Sequence, residues 1–390
     1  MDIYEESLKM HEKARKKISV VSNVKLENTH DLSLAYTPGV AEVSRRIKEH
    51  PGDVYKYTIK HNSVAVLSDG SAVLGLGNIG AEAAIPVMEG KAVLFKELAG
   101  IDAFPICVKT QDTDEIVNIV KNIAPVFGGI NLEDISAPRC FDIEARLQGI
   151  GIPVMHDDQH GTAVVVLAGL INACKLAGKN IDELKVVVNG AGAAGIAITK
   201  LLLCIGADKN ICRSVHELII CDRKGAIYDG RTENMNKHKE ELAKYTNPKK
   251  ISGSLSEAIK GADVYIGVSA PGALHEEDIK NMAEKPILFA MANPVPEIMP
   301  DDAKKAGAFI VATGRSDFDN QVNNSLGFPG IFRGALDSGA KRITTNMKLA
   351  AAHAIAECVA KPSVNMIVPG ALDKTVAEKV AIAVGNAYSQ

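Results

Sequence analysis

Lys185-Val186-Val187-Val188-Asn189-Gly190-Ala191-Gly192-Ala193-Ala194-Gly195 runs from an apolar stretch into a G-x-G-x-x-G pattern, and apart from Lys200 small and aliphatic residues follow as far as Leu203. That order predicts a buried strand, a glycine turn and a helix opening directly behind it. A pyrophosphate then sits at the helix N-terminus, where unbonded N–H groups and the helix dipole favour negative charge. The glycines let the backbone approach it closely. Gly190, Ala191, Gly192, Ala193, Ala194 and Gly195 are therefore the expected cofactor loop. The next apolar run, 217–221, ends on Asp222, an acid placed to bond the ribose hydroxyls. Asp222 lies 27 residues past Gly195 rather than the usual ~20, and the polar stretch 208–215 accounts for the excess.

Downstream of this unit, 264–268, 287–290 and 310–312 read as further strands separated by helical segments. Upstream, a first helix is expected over 5–17, with acids early and bases late as the helix dipole prefers. Pro38, in Ala35-Tyr36-Thr37-Pro38-Gly39, suits the first turn of a second helix. Segments 63–67 and 72–74 read as strands of a hairpin joined by Asp69-Gly70. Then strand 104–108, helix 113–123, strand 126–130, helix 138–148 and strand 152–155 alternate, which argues for a mostly parallel sheet. A long apolar helix over 161–176 leads into the dinucleotide unit. The expected fold is α/β: an N-terminal α/β domain over 1–160, then a Rossmann-type, doubly wound dinucleotide-binding domain over 161–390. Its last segment, 362–390, is expected to be helical and to pack back on the first domain.

Composition narrows the function classes. Lys+Arg total 44 and Asp+Glu 47, a net charge of -3, so no general attraction to nucleic acid or an anionic membrane is expected. The most apolar stretch, 162–171, is about half the length a bilayer span needs. Seven cysteines are scattered without C-x-x-C spacing or a disulfide framework, which points to a reducing cytoplasm.

A second G-x-G-x-x-G, Gly75 to Gly80, lacks a following strand that ends in an acid, and its helix meets Pro86 within two turns. It reads as a tight turn, a glycine-rich wall able to line a cleft. Glu133-Asp134 and Asp157-Asp158 each follow an expected strand, at the sheet edge where ligands gather. Such oxygen donors suit Mg²⁺ or Mn²⁺; the alternative is helix caps or solvated loop acids. His156 and His160 read as structural. Lys91 lies among apolar residues, where desolvation lowers an amine's pKa toward the range of a general base; a solvated lysine is the alternative. Tyr36 is either a buried tyrosine or a phenolic acid. Asn293 and Asn324 lie at strand exits, where amides orient a carboxylate or a nicotinamide.

In order along the chain stand Ala35-Tyr36-Thr37-Pro38-Gly39-Val40, Leu74-Gly75-Leu76-Gly77-Asn78, Glu89-Gly90-Lys91 and Asn131-Leu132-Glu133-Asp134. They are followed by Asp157-Asp158-Gln159-His160-Gly161-Thr162, the glycine fingerprint, Ala292-Asn293-Pro294 and Gln321-Val322-Asn323-Asn324. Together these motifs, spread over about 30–340, make the chain similar to malic enzymes of the compact microbial type. The resemblance implies oxidative decarboxylation of (S)-malate to pyruvate and CO₂, with a divalent metal and NAD(P)⁺, by a homodimer. It implies Lys91 as base, Tyr36 as acid and Asp157 as the group tuning Lys91. Glu133, Asp134 and Asp158 hold the metal, while Asn293 and Asn324 orient substrate and nicotinamide. Larger family members carry a substrate-binding arginine where this chain has Ala72. A malolactic enzyme, giving lactate, is an alternative within the family. A metal-independent amino-acid dehydrogenase is a more distant one, against which the three carboxylates speak. Asp222 sets the cofactor expectation: like charge against a 2′-phosphate favours NAD, with residual NADP use.

Overall fold

The computed structural model of the chain describes residues 3–208 and 210–388. Four short helices come first: α1 (Ile3–Ala14), α2 (Thr29–Ala35), α3 (Val40–Glu49) and α4 (Val54–Tyr57). Asn28 caps α2 by accepting from the Asp31 N–H, which satisfies one of the helix's free donors. No residue from 3 to 59 is buried. Apolar side chains nevertheless recur there, Leu8, Val20, Val21, Leu34 and Tyr36 among them, all exposed.

The first sheet is built from β1 (Ser63–Ser68), α5 (Ala81–Ala99), β2 (Asp102–Cys107), α6 (Thr113–Ile123), β3 (Gly129–Leu132), α7 (Arg139–Leu147) and β4 (Val154–His156). All four strands are parallel, in the order β2-β1-β3-β4. The expected hairpin is absent. Every residue of β1 is buried, as in a central strand covered on both faces, and its neighbours are β2 and β3. After Asp69-Gly70 the chain forms a loop instead, in which the Ile79 and Gly80 N–H groups donate to the Gly70 carbonyl. Helix α5 also runs through Pro86 to Ala99, and the Lys17 ammonium bonds the Pro86 carbonyl at 2.7 Å.

Helix α8 (Asp157–Ala177) begins four residues earlier than the apolar pattern indicates, so Asp157 and Asp158 form its first turn. Acids are favoured there by the dipole, and a purely apolar signal misses them. By length and hydropathy α8 could cross a bilayer, but 78% of its most apolar window is buried. It is a core helix, packed against the helices Ala193–Leu202 and Thr345–Glu357.

The second sheet follows: β5 (Lys185–Asn189), α9 (Ala193–Leu202), β6 (Glu217–Asp222), β7 (Gly225–Ala226), α10 (Lys237–Ala243), α11 (Leu255–Ala258), β8 (Val264–Gly267), α12 (Glu276–Lys280), β9 (Ile287–Ala290), α13 (Pro300–Lys305) and β10 (Ile310–Thr313). The order is β10-β9-β8-β5-β6-β7, parallel except for β7. Then come α14 (Phe328–Asp337), α15 (Thr345–Glu357) and α16 (Lys374–Tyr388). α16 packs on α14 and α15 and reaches back to α5, but of the segment 362–390 expected to be helical, residues 362–373 form bends and turns instead. One apolar core runs from β1 through α8 to β5. A disulfide, unexpected from the spacing, joins Cys204 to Cys212 across the loop between α9 and β6.

Candidate active site

The carboxyl ends of β3 and β4 lie side by side, and the buried face of α5 stands over them. Lys91, on that face, is itself buried. Its Nζ is 2.5 Å from Asp157 Oδ2, 2.8 Å from Glu133 Oε1 and 4.2 Å from the centre of the Phe328 ring. Asp157 Oδ1 lies over Gly161, where an added Cβ would come within 1.7 Å of it. Any side chain at 161 would displace the carboxylate that holds Lys91.

Glu133, Asp134 and Asp158 each offer an oxygen, and the three atoms lie within 4.8 Å of one another. The Asp134 N–H donates to Asp158 Oδ2 at 2.8 Å, and His156 Nε2 is 3.2 Å from the same oxygen. Asp134 adopts a φ of 53°, a left-handed conformation that turns its carboxylate back toward the others. Asn131 Nδ2 steadies Glu133 Oε2 at 2.8 Å.

Burial pushes Glu133 well above the ordinary carboxylate range, and the neighbouring acids add to that against the pull of Lys91. Asp134 is pushed up to about 7 by burial and by Asp158. Asp158 is held below its usual value, because bonding and charge from His156 outweigh its burial. Lys91 departs from expectation. Burial alone would lower its pKa, but Asp157 and Glu133 outweigh that and raise it, so its ammonium stays charged in the free protein. Asp134 Oδ2 is buried without a partner. An all-oxygen donor set, an orphaned oxygen and clustered negative charge together fit a divalent cation. His156 and His160 are supports: His156 braces Asp158, and His160 bonds Glu144 Oε2 at 2.9 Å.

The glycine loop closes as the fingerprint requires. Gly190 has φ 124°, and a Cβ there would lie 2.4 Å from the Val268 carbonyl oxygen. One on Gly195 would lie 1.7 Å from the Gly190 carbonyl oxygen. Gly192, at the N-cap of α9, faces open space, which leaves room for a pyrophosphate. Asp222 differs from expectation. Its oxygens accept from Arg231 Nη2 (2.6 Å), Lys239 Nζ (2.7 Å), Asn234 Nδ2 (2.8 Å) and the Lys224 N–H (2.9 Å). Burial opposes its charge, yet Lys239 and Arg231 hold its pKa down. It is not a free acceptor, and its charge is already answered.

Asn324 packs against the Gly161 face of α8, beside Asp157. Asn293 lies across the cleft: a Cβ on Gly75 would be 2.5 Å from its carbonyl oxygen, so the first glycine pattern is a wall touching the second domain. Tyr36 alone stays apart. It is 68% exposed, and its hydroxyl bonds no described residue.

The profile described as "Malic enzyme, N-terminal domain" matches residues 13–148, and "Malic enzyme, NAD binding domain" matches 159–388. A Bacillus subtilis protein named "Bifunctional malic/malolactic enzyme" is 57% identical, over 99% of this chain and 93% of its own length. A Rickettsia prowazekii protein named "Probable NADP-dependent malic enzyme" is 53% identical, over 92% of this chain and 46% of its own. The crystal structure of an NAD-dependent malic enzyme from Thermotoga maritima superposes with a TM-score of 0.93 at 51% identity, covering 99% of each chain. With both profiles matched in order and the backbone shared from end to end, the chain belongs to the malic enzyme family of NAD(P)-dependent, decarboxylating malate dehydrogenases.

Proposed function

We propose that the chain oxidises (S)-malate with NAD(P)⁺ and releases CO₂ and pyruvate, using Mg²⁺ or Mn²⁺ held by Glu133, Asp134 and Asp158. The observation that carries this reading is the buried Lys91–Asp157 pair beside three converging carboxylates. A divalent cation, when bound, polarises the C2 oxygen and stabilises the negative charge left as CO₂ departs. Lys91 takes the C2 hydroxyl proton. With Glu133 engaged as a ligand, one of the two carboxylates that keep Lys91 charged would be drawn away, and the cation's own charge would further disfavour the ammonium, moving Lys91 toward the neutral amine against the remaining pull of Asp157. Asp157 keeps the amine aimed. Tyr36 delivers a proton to C3 of enolpyruvate, while Asn293 and Asn324 orient substrate and nicotinamide, with Gly190 to Gly195 seating the pyrophosphate.

Tyr36 comes from a second copy on this reading. The stretch 3–59 buries nothing against its own chain yet presents apolar side chains, which is what a segment made to cover a partner looks like. The assembly is thus a homodimer with shared sites. Domain limits of 1–160 and 161–390 belong to the same proposal, the boundary falling within the first turn of α8. A cytoplasmic home belongs to it as well: five cysteines stay unpaired, while the Cys204–Cys212 disulfide departs from the expectation of a fully reduced chain.

Two variants separate the acid from the base. Lys91→Ala should cut NADH formation by about 10²–10⁴-fold, the usual worth of a proton-transfer group. Tyr36→Phe should leave hydride transfer nearly intact and slow the protonation of enolpyruvate, read as deuterium delivered to C3 in D₂O. An acid other than Tyr36 is required if that delivery matches wild type. The name of the B. subtilis relative favours a second reading, conversion of malate to lactate and CO₂; product analysis decides between them.

A further inference from the structure

Malate is a dianion, and one of its carboxylates lies beyond the Lys91 cluster. Ala72 gives that carboxylate no cation, and burying it unpaired is costly. Three cations leave nearby loops. Lys109 follows β2, the edge strand two places from β3. Arg139 pairs with Asp69 Oδ2 at 2.9 Å, and the Asp69 side chain is fully buried. Drawing Arg139 away would strand that buried charge. Its other donors serve Ser71, Ser136 and the Gln111 carbonyl.

Arg315 is placed differently. It follows β10, one residue after Gly314, where an added Cβ would lie 2.8 Å from the Asn293 amide nitrogen. Arg315 Nη1 donates to the Pro294 carbonyl at 2.8 Å. Pro294 and the Asn293 carbonyl press on Gly75, and the neighbouring Leu74 backbone bonds the Asp134 carboxylate. The guanidinium is thereby linked across the cleft, through Pro294 and the 74–75 loop, to the carboxylate cluster. Its sheet position excludes the adenosine end, since β10 is four places from β6 and Asp222.

The fork of Arg315 is already used as a carboxylate clamp. Nε and Nη2 grip Asp317 Oδ1 and Oδ2 at 2.8 and 2.6 Å. Both side chains reach solvent, 34% and 54% exposed, so the pair contributes little stability and exchanges readily. We infer that Arg315 binds the carboxylate of malate remote from Lys91, taking it in exchange for Asp317 and replacing the arginine missing at position 72. This inference rests on malate being the substrate.

With Mn²⁺ and NAD saturating, Arg315→Ala should raise the KM for malate by about 100-fold and leave the KM for NAD within about twofold. Arg315→Lys should recover part of the loss, because it keeps the charge and loses the fork. The 4-amide of malate lacks the far charge and cannot lose CO₂, so the two are compared by calorimetric binding to the metal-loaded protein: wild type should bind malate far more tightly than the amide, and Arg315→Ala should bind the two alike. Calorimetric titration of malate into the metal-loaded variant reads the same loss without turnover. An unchanged malate KM in Arg315→Ala, or a preference for malate over its amide that survives the substitution, overturns the assignment. Absence of malate oxidation by the wild-type protein would instead overturn the reading of the reaction, so the two failures are distinct.

Discussion

Asp222 accepts four hydrogen bonds in the free protein, two of them from cations, and this alters what its charge can do at the ribose. One carboxylate against Arg231 and Lys239 makes a locus of net positive charge, which does not repel a 2′-phosphate. On the proposed binding mode, discrimination would fall to this cluster rather than to a single acid. Wild type should use NAD and NADP with kcat/KM values within about tenfold of each other. Lys239→Ala frees one Asp222 oxygen and removes a phosphate partner, so the NAD-to-NADP ratio should rise by about tenfold. A ratio that stays put or falls would show that Lys239 plays no part in cofactor choice. None of this was legible from the acid alone: the partners stand 9 and 17 residues further on, and only the fold of the 223–239 loop brings them in. Lys91 gives the same lesson. Its apolar flanks correctly indicated burial, but the sign of its pKa shift depends on two acids brought from other strand ends.

At the scale of elements, local patterns held where the sequence states its own punctuation. Helix α6 and strand β9 stand where the periodicity puts them, and Asp112 caps α6 by accepting from the Asp114 and Glu115 N–H groups. The β5–α9 unit follows from sterics that leave its glycines no substitute. Gly192 is the informative exception. Because a Cβ there meets nothing in the chain, Gly192→Ala should leave the melting temperature within about 1 °C yet raise the KM for NAD at least about tenfold, by crowding the pyrophosphate. An unchanged KM would place the cofactor elsewhere. The hairpin misread at Asp69-Gly70 shows where local rules stop. That dipeptide does form a turn, but β1 is apolar on both faces and needs neighbours on both sides, which a hairpin with 72–74 could not supply. The early start of α8 was hidden because its first turn is acidic, and that turn carries Asp157 and Asp158.

Across the whole molecule, the division between a closed core and an unburied N-terminal stretch is the main feature that a single chain leaves unexplained. Shared sites make a specific prediction. Lys91→Ala fails at hydride transfer and Tyr36→Phe at protonation of enolpyruvate, and mixing them after dissociation should restore deuterium delivery to C3 in D₂O, since a mixed dimer contains one site with both residues intact. Random pairing makes half the dimers mixed, so recovery should approach about a quarter of wild-type turnover. No recovery, with mixed dimers shown to form, would place Tyr36 and Lys91 in the same chain. Metal-dependent conversion of malate to pyruvate at the Lys91 site can be measured in a single experiment. Protein stripped of metal by chelation is supplied with (S)-malate and NAD, Mn²⁺ is titrated in, and pyruvate, lactate and NADH are quantified together. Turnover should be negligible before Mn²⁺ is added, and pyruvate and NADH should then form in equal amounts. Turnover that persists in the stripped protein, or lactate formed without NADH, would contradict the proposed reaction.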